Sequence, residues 1–502
     1  MAFVPLPSTD DTICAIATAP GRGAIGIVRL SGPASHAVAA AVFSPMRGGS
    51  LAQLASGRTA FGKIVDGDEL VDEAVALSFR APNSYTGQDL VELQTHGGAA
   101  VLRRTLDLCL AAGARLAGPG EFTLRAYLGG RIDLAQAEAV LELVDAQGES
   151  ARRNAALGLS GELSRRLAEV QDRILSAYAA LQATIDYPEE GVPDAQLGEP
   201  LREAAGLIRG LLETADAGRL SREGARLAIL GRPNVGKSSL LNALLGYQRS
   251  IVSATPGTTR DYLEAPLTID GVPVTAVDTA GIRRTDDLIE AHGVSSAKQL
   301  AELADMRLLV LDGSQSLSEE DTELLAMFSG PRSLVVINKS DLAEDGLPVV
   351  ADAVLVSALT GAGLGKLRRR VVEELLGSAQ SSELWITNER HAEALSKTLG
   401  YVESALAAGG TSDMVALELQ DAMLALGQVT GRSEVSEETL AEIFARFCVG
   451  KWWRGRTRPP RAPQQARAAT PPTEAPNPPS GSPSSAAPSR PTYCPQAVAT
   501  AP

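Results

Sequence analysis

Residues Gly231 to Ser239, which read GRPNVGKSS, have the composition and spacing of a phosphate-binding loop. A glycine and four further residues precede Gly236-Lys237-Ser238, which is the pattern of a nucleotide-binding turn between a strand and a helix. Glycines allow a tight turn whose backbone N–H groups point at phosphate oxygens, and the following helix adds partial positive charge. In this pattern Lys237 reaches the outer phosphates and the Ser238 hydroxyl holds Mg²⁺.

Further motifs follow in the order that a GTP-binding domain requires. The segment Asp278-Thr279-Ala280-Gly281 has the spacing of a γ-phosphate sensor. The segment Asn338-Lys339-Ser340-Asp341 has the side-chain chemistry to recognise guanine, and we call it the guanine reader. Ser357-Ala358 fits the loop that closes over the base, and Thr258 or Thr259 fits a switch loop that supplies a second Mg²⁺ ligand. A glycine-rich turn that matched by chance would lack these companions, and the guanine reader disfavours ATP. The order resembles a translation-factor-type GTPase domain.

Apolar runs predict the elements that position these motifs. Strands are predicted at 226–230, 272–277, 333–337 and 353–356, and a helix that ends on a glycine is predicted at 239–246. The phosphate loop, the γ-phosphate sensor, the guanine reader and the base-closing loop each directly follow one of these strands.

Residues 1–125 mix short strand-like runs with one helical stretch, Ala99 to Ala112, which predicts a separate α+β domain. The letters Gly21-x-Gly23-x-x-Gly26 match a dinucleotide fingerprint. The run after them is strand-like, whereas a dinucleotide site needs a helix there, so that reading is rejected.

Helical periodicity occupies 134–144, 163–185 and 201–212, and resumes at 392–406, 414–426 and 440–447. We therefore predict a multidomain α+β and α/β chain in which the GTPase domain is inserted into a helical domain. The predicted parts are an α+β N-domain (1–125), the first part of the helical domain (126–218), a P-loop GTPase domain (219–377), the second helical part (378–451) and a tail (452–502).

Composition separates the tail from the body. Residues 452–502 hold 13 of the 29 prolines, with six arginines and one glutamate, and are predicted to be disordered. The whole chain carries −14, so the first 451 residues carry −19, which excludes a general nucleic-acid binder. Four cysteines without metal-site spacing, no signal peptide and no apolar run of membrane-spanning length predict a soluble cytoplasmic protein.

Three segments outside the generic GTPase motifs are distinctive: GRGAIGIVRLSG near the start, PNSYTGQDLVELQTHGG, and GPGEFTLRAYLGGRIDLAQAEAV. With the ending FCVGK at 447–451, they make residues 10–451 resemble the MnmE (TrmE) family of tRNA-modifying GTPases within the Era-like group. The resemblance implies a folate-binding N-domain, a homodimer through that domain, and an FAD-dependent partner, MnmG, in a heterotetramer or larger assembly. It implies addition of a carboxymethylaminomethyl or aminomethyl group to C5 of the tRNA wobble uridine. It further implies that a 5-formyl- or 5,10-methylene-tetrahydrofolate supplies the carbon and that glycine or ammonia supplies the nitrogen.

The resemblance also implies that a K⁺ ion takes the place of an arginine finger. Its ligands match Asn234, Ser253, Thr255 and Thr258, and Mg²⁺ is held by Ser238 and Thr259. Glu290 matches the residue that orients the attacking water, since Ile282 after Gly281 cannot do so. The implied GTP-binding set is Asn234, Val235, Gly236, Lys237, Ser238, Ser239, Ser253, Ala254, Thr255, Pro256, Gly257, Thr258, Thr259, Asp278, Thr279, Ala280, Gly281, Asn338, Lys339, Asp341, Ser357 and Ala358.

Four residues match the family's folate site: Arg29, Glu92, Arg131 and Lys451. Glu92 is expected to pair with the amino edge of the pterin, and Arg29 to neutralise a carboxylate. Cys448, placed with Glu290 and Lys237 among the catalytic candidates, is either a reactive thiol in the modification chemistry or a packed helix-end cysteine. The family ends at the residue matching Lys451, whereas this chain runs on for a further 51 residues.

Two other functions stay open at the level of sequence. One is a ribosome-assembly GTPase, and the other is a regulatory module in which GTP gates partner assembly without modification activity.

Overall fold

A seven-stranded sheet forms the first part of the fold. The computed structural model describes residues 8–186, 194–247, 264–278, 303–328, 330–342, 348, 350–377, 384–408 and 412–447. The strand order of this first sheet is β3-β4-β5-β6-β2-β1-β7. Neighbours are antiparallel except β1 and β7. The strands are β1 (Ile13–Ile16), β2 (Gly23–Ser31), β3 (Phe43–Pro45), β4 (Arg58–Asp66), β5 (Glu69–Phe79), β6 (Leu90–Gly97) and β7 (Arg115–Leu116).

Two helices cover this sheet through a shared apolar core. Helices α1 (Ser35–Val42) and α2 (Ala99–Ala111) pack on buried strand residues that include Val28, Leu30 and Leu93. The predicted helix at 99–112 is confirmed to within one residue, and rejection of the dinucleotide fingerprint is confirmed because β2 starts at Gly23.

A series of helices follows and carries the predicted apolar stripes. They are α3 (Glu121–Leu128), α4 (Leu134–Asp145), α5 (Glu149–Leu159), α6 (Glu162–Asp186), α7 (Asp194–Leu212) and α8 (Ala215–Glu223). The stripe of α6, from Leu163 to Leu181, is buried as predicted. The helix predicted at 134–144 is confirmed as α4 to within one residue, but Val144, a member of its predicted apolar stripe, is 71% exposed.

A six-stranded sheet follows, in the order β13-β12-β11-β8-β10-β9, parallel except for the β9–β10 pair. Its strands are β8 (Ala225–Leu230), β9 (Glu264–Ile269), β10 (Val272–Asp278), β11 (Met306–Asp312), β12 (Ser333–Asn338) and β13 (Val354–Leu355). The helices of the same part of the chain are α9 (Lys237–Tyr247), α10 (Glu319–Phe328) and α11 (Leu364–Leu376). The predicted strands are confirmed. The predicted helix at 239–246 is confirmed as α9, which starts two residues earlier and continues through Gly246 to Tyr247.

The last described helices return to the earlier ones. They are α12 (Glu389–Ala407), α13 (Ser412–Thr430) and α14 (Glu437–Ala445). Helices α6 and α7 share one buried apolar cluster with α12 and α13. The six-stranded sheet is therefore an insertion between helices that form a common core.

The chain enters and leaves the six-stranded sheet at neighbouring points. Thr214 precedes α8, which leads into β8, and its hydroxyl accepts a bond from the backbone N–H of Ile386 at 3.0 Å. At Gly218 a Cβ atom would lie 2.1 Å from the carbonyl oxygen of Ile386, so only glycine fits there. These contacts hold side by side the two crossings, which are the points where the chain enters and leaves the inserted sheet.

A buried ion network also joins the two helical segments. Glu138 of α4 accepts hydrogen bonds from Asn388 at 2.9 Å, from Arg390 at 2.5 and 3.0 Å, and from the ring of His391 at 2.6 Å. Burial raises the pKa of Glu138, but His391 and Arg390 outweigh that effect and lower it to about 2.

We expect Glu138→Gln to destabilise the helical part by about 3–5 kcal/mol, because it leaves the Arg390 charge without its buried partner. The folded pKa of about 2 lies below the ordinary value of 4.5. The stabilisation is therefore complete above about pH 4.5 and is lost as the pH falls towards 2. Thermal unfolding at pH 7 and at pH 3.5 should show a smaller gap between wild type and variant at the lower pH.

The matched control is Glu149→Gln, because Glu149 forms an exposed ion pair with Arg152. We expect this variant to unfold with wild type at both pH values. A loss equal to that of Glu138→Gln would contradict the assignment of the stabilisation to burial.

Candidate functional site

The loop between β8 and α9 has the backbone that its sequence predicts. Gly231 and Gly236 have φ angles of 139° and 94°, and Asn234 has a φ of 65°, which asparagine tolerates better than most residues. A Cβ atom on Gly236 would lie 2.3 Å from the side-chain nitrogen of Asn338. The glycine is therefore needed both for its conformation and for close approach of the guanine-reading motif.

Lys237 starts α9 and is 7% exposed. Its Nζ donates to the carbonyl oxygens of Gly231 and Arg232 at 2.6 and 2.7 Å. The loop thus curls around its own ammonium group, and that group stands where the backbone turns. Ser238, the predicted Mg²⁺ ligand, follows on the exposed side together with Ser239.

Asn338, at the end of β12 and 2% exposed, joins two loops of the site. Its side-chain nitrogen donates to the carbonyl oxygen of Val235 at 3.0 Å. Its side-chain oxygen accepts from the backbone N–H of Ala358 at 3.0 Å. The structure therefore brings together three segments that the sequence assigned to one site: the phosphate loop, the guanine reader and the loop predicted to close over the base.

The loop at Ser357 has its own hydrogen bonds. Ser357 is fully buried, and its Oγ accepts from the backbone N–H of Thr360 at 3.1 Å. Its backbone N–H donates to the carbonyl oxygen of Ala362 at 2.9 Å. The loop is a tight turn held from within, so Ala358 presents a fixed N–H to Asn338.

Asp341 lies in a short 3-10 helix, Ser340–Leu342, directly after β12, and is exposed. The backbone N–H of Ser340 donates to the carbonyl oxygen of Val356 at 3.1 Å. This bond ties the 3-10 helix to the segment that leads into Ser357. The Asp341 carboxylate therefore stands at the same sheet edge as Asn338.

Two ion pairs that sequence reasoning missed support these loops. Arg232 donates to Asp321 of α10 at 2.7 Å, and Lys339 donates to Asp312 at the end of β11 at 2.6 Å. The run MRLLVLD at 306–312 could have signalled a strand that ends on a carboxylate, as β10 does at Asp278. Its partner on another strand could not be read from the sequence.

Several predicted site residues lie outside the described part of the chain. Asp278 ends β10, where its backbone pairs with Ile229 of β8, so its position beside the phosphate loop is described but its side chain is not. The others outside are Ser253, Ala254, Thr255, Pro256, Gly257, Thr258, Thr259, Thr279, Ala280, Gly281, Glu290, Cys448 and Lys451.

The structure brings three predicted folate residues together on the first sheet and the segment after α3. Arg29 and Glu92 are register partners on β2 and β6, joined from Nε to Oε1 at 2.8 Å. The guanidinium carbons of Arg29 and Arg131 lie 5.5 and 5.2 Å from the ring centre of Tyr85. Sequence reasoning missed Tyr85, although it lies within PNSYTGQD. A carboxylate, two guanidinium groups and an aromatic ring suit a flat ligand with amino and carboxylate groups.

Two cysteines of the described residues are buried core residues. Burial raises the pKa of Cys14 to about 12 and raises that of Cys109 further, so neither forms a reactive thiolate. Within the described ranges no group of His, Cys, Asp and Glu suits a metal ion. Among the same residues, no helix combines the length and apolar character required to cross a membrane.

Family models and related proteins match the part of the chain that holds both sheets and the helices. A family model for the MnmE helical domain matches residues 134–448, and one for the GTP-binding protein TrmE N-terminus matches residues 12–131. The chain is 50% identical over 446 residues to a tRNA modification GTPase MnmE of Thermus thermophilus, covering 88% of this chain and 99% of that protein. It is 44% identical over 468 residues to the tRNA modification GTPase MnmE of Heliobacterium modesticaldum, with coverage of 88% and 99%.

We expect Gly236→Ala to weaken binding of guanine nucleotides at least about ten-fold, because the new methyl group displaces Asn338 from Val235. Calorimetric titration with GDP measures the affinity, and circular dichroism checks the fold. Gly246→Ala is the control, since a Cβ atom there meets no atom within 4 Å. Unchanged GDP affinity in Gly236→Ala would show that the Asn338 bridge does not serve nucleotide binding.

Proposed function

Since this chain belongs to the MnmE family of tRNA modification GTPases, we propose that it is a K⁺-activated GTPase that modifies C5 of the tRNA wobble uridine with an FAD-dependent MnmG partner. The observation that carries the proposal is the Asn338 side chain, which joins the phosphate loop at Val235 to the turn at Ala358. This joint holds the proposed guanine-reading segment at a fixed place relative to the phosphate loop.

Guanine recognition is assigned to Asn338, Lys339 and Asp341. The exposed Asp341 carboxylate can accept from both the ring N–H and the exocyclic amine of guanine, a pair of donors that adenine does not offer together. An adenine base would leave the Asp341 carboxylate without this pair of donors, and unpaired polar groups cost affinity. GTP is therefore favoured over ATP.

Phosphate binding is assigned to the loop from Asn234 to Ser239. Its backbone N–H groups face the phosphates, Lys237 neutralises the outer ones, and the helix start adds partial positive charge. The hydroxyl of Ser238 fits Mg²⁺, which prefers oxygen ligands, with Thr259 as the second protein ligand. Glu290 orients the attacking water in place of a glutamine, and Asp278 to Gly281 sense the γ-phosphate.

The K⁺ site is assigned to Asn234, Ser253, Thr255 and Thr258. Of these, Asn234 is described, and its left-handed backbone holds an exposed side chain at the outer turn of the phosphate loop. A cation there supplies positive charge near the bridge between the β- and γ-phosphates, the charge that arginine fingers bring elsewhere.

The folate site is assigned to Arg29, Glu92, Arg131 and Lys451, with the one-carbon unit on a 5-formyl- or 5,10-methylene-tetrahydrofolate. Glu92 already accepts from Arg29, so a pterin that pairs with Glu92 shares this carboxylate with the guanidinium group. Cys448 stays either a packed residue or a thiol of the modification chemistry, and either glycine or ammonia is the nitrogen donor.

The proposed architecture is a homodimer through residues 1–125, with the GTPase domain (219–377) inserted between helical parts (126–218 and 378–451) and a tail after Lys451. The proposed location is the cytoplasm, where the tRNA substrate and the MnmG partner meet the chain. A ribosome-assembly or purely regulatory role is the outcome if the modification test below fails.

We expect GTP hydrolysis to be about ten-fold or more faster in K⁺ than in Na⁺ at equal ionic strength, because the larger ion fits the Asn234 site. Asn234→Ala should abolish the difference, whereas Asn83→Ala, which removes an exposed asparagine of the first sheet region, should keep it. Phosphate release in the two salts is the measurement. Equal rates in wild type would refute K⁺ activation.

We expect this chain to restore the modified wobble uridine in cells that lack their own copy, as read by mass spectrometry of tRNA nucleosides. The full chain and a chain cut after Lys451 are compared, with MnmG of the same source present. Restoration by both makes the tail dispensable, and restoration by the short form alone means that the tail obstructs the C-terminal site. Failure of both, with GTP hydrolysis intact, favours the regulatory role.

A further inference from the structure

The segment 312–321, from the end of β11 to the first turn of α10, contains no residue of the GTP-binding motifs, yet it contacts two of them. Asp312, the last residue of β11, pairs with Lys339 of the guanine reader. Asp321, in the first turn of α10, pairs with Arg232 of the phosphate loop. Both carboxylates are buried, at 8% and 2% exposure. A buried carboxylate needs partners, so each pair fixes the loop that supplies the cation.

Both oxygens of Asp312 are occupied. Oδ2 accepts from the Lys339 ammonium at 2.6 Å, and Oδ1 accepts from the hydroxyl and backbone N–H of Ser314 at 2.6 and 3.0 Å. Burial raises the pKa of Asp312, but the bonds from Lys339 and Ser314 outweigh it and hold the pKa below its usual range. The carboxylate is thus a fixed anion rather than a rotating surface group.

The register of the sheet places this anion beside the guanine reader. Asp312 and Asn338 are partners in the parallel β11–β12 pair, and the N–H of Gly313 donates to the Asn338 carbonyl oxygen at 2.7 Å. Lys339 has a φ of 59°, so the chain turns sharply after β12 and the lysine reaches back across the strand end to Asp312. Ligands of such sheets bind at this carboxyl edge.

We propose that Asp312 is a positioning residue for the guanine base, which acts through Lys339. By fixing the ammonium, it lays the apolar stem of Lys339 along the carboxyl edge of the sheet, where one face of the base packs on it. This inference rests on the proposed GTP-binding function and adds to it a residue that touches no nucleotide.

The competing interpretation is that the pair only fastens β11 to β12. The two differ in one respect. If Asp312 positions the base, its effect on GDP affinity requires the ammonium group of Lys339. If the pair only fastens the two strands, Asp312 affects stability and has no specific link to GDP affinity. A double-mutant cycle on binding separates them.

The test measures GDP affinity by calorimetric titration of the full chain, with Asp312→Asn made in two backgrounds, wild type and Lys339→Met. Methionine keeps an apolar stem but has no ammonium. We expect Asp312→Asn to weaken GDP binding about ten-fold where Lys339 is present. In the Lys339→Met background we expect less than about a two-fold further loss.

Asp321→Asn is the matched control, because Asp321 is another buried carboxylate of segment 312–321 and pairs with a different loop. It should weaken GDP binding by the same factor in both backgrounds, since Arg232 and the phosphate loop do not act through Lys339. Thermal unfolding without nucleotide checks each variant. If Asp312→Asn does not fold, Ser314→Ala replaces it, because it loosens the same carboxylate while keeping its charge.

The proposal is overturned if Asp312→Asn leaves GDP affinity unchanged, or lowers it equally in both backgrounds. In either case a wild-type chain that binds GDP and not ADP keeps the proposed function standing. A wild-type chain without preference for GDP over ADP would refute the proposed function itself and this inference with it.

Discussion

The side-chain amide of Asn338 is the interaction on which the nucleotide site depends. One short group satisfies the carbonyl of Val235 on one side and the N–H of Ala358 on the other, at 2% exposure. An amide can do this because it carries a donor and an acceptor at one end of one side chain. The glycine at 236 follows from it, since any larger residue would occupy the space of the amide nitrogen. Three cationic side chains surround this neutral amide, and each donates to an oxygen atom of a neighbouring segment: Lys237, Lys339 and Arg232.

Much of this site could be predicted from sequence because its motifs are local. A phosphate loop is defined by glycines and a lysine within a few residues, and the apolar runs before each motif gave strands whose ends meet at one edge. The pairs Arg232–Asp321 and Lys339–Asp312 could not be predicted, since they depend on which strand lies beside which. Among the early elements, β3 and β7 and helices α1 and α3 escaped prediction, as short elements leave little periodicity and are decided by tertiary packing. Strand β4 also escaped, although it has nine residues. Tyr85 escaped for a different reason, because its arginine neighbours come from distant parts of the chain.

The helical part shows how a chain interrupted by an insertion is kept in one piece. Apolar burial supplies most of the attraction between α6, α7, α12 and α13, but apolar contact is not directional. The Glu138 network adds direction, because a carboxylate with partners from Asn388, Arg390 and His391 fits one arrangement of α4 against α12. The pairing in this network is therefore a source of specificity in the join as well as of stability.

The side-by-side crossings at Thr214 and Ile386 have a consequence for how the chain is assembled. About 170 residues lie between Thr214 and Ile386, yet these two positions are adjacent in space. For the helical core, the whole inserted sheet is equivalent to one closed loop, and the entropy lost in closing a loop grows only slowly with its length. A longer insertion at this point would therefore add little to the entropy that the helical core loses on folding.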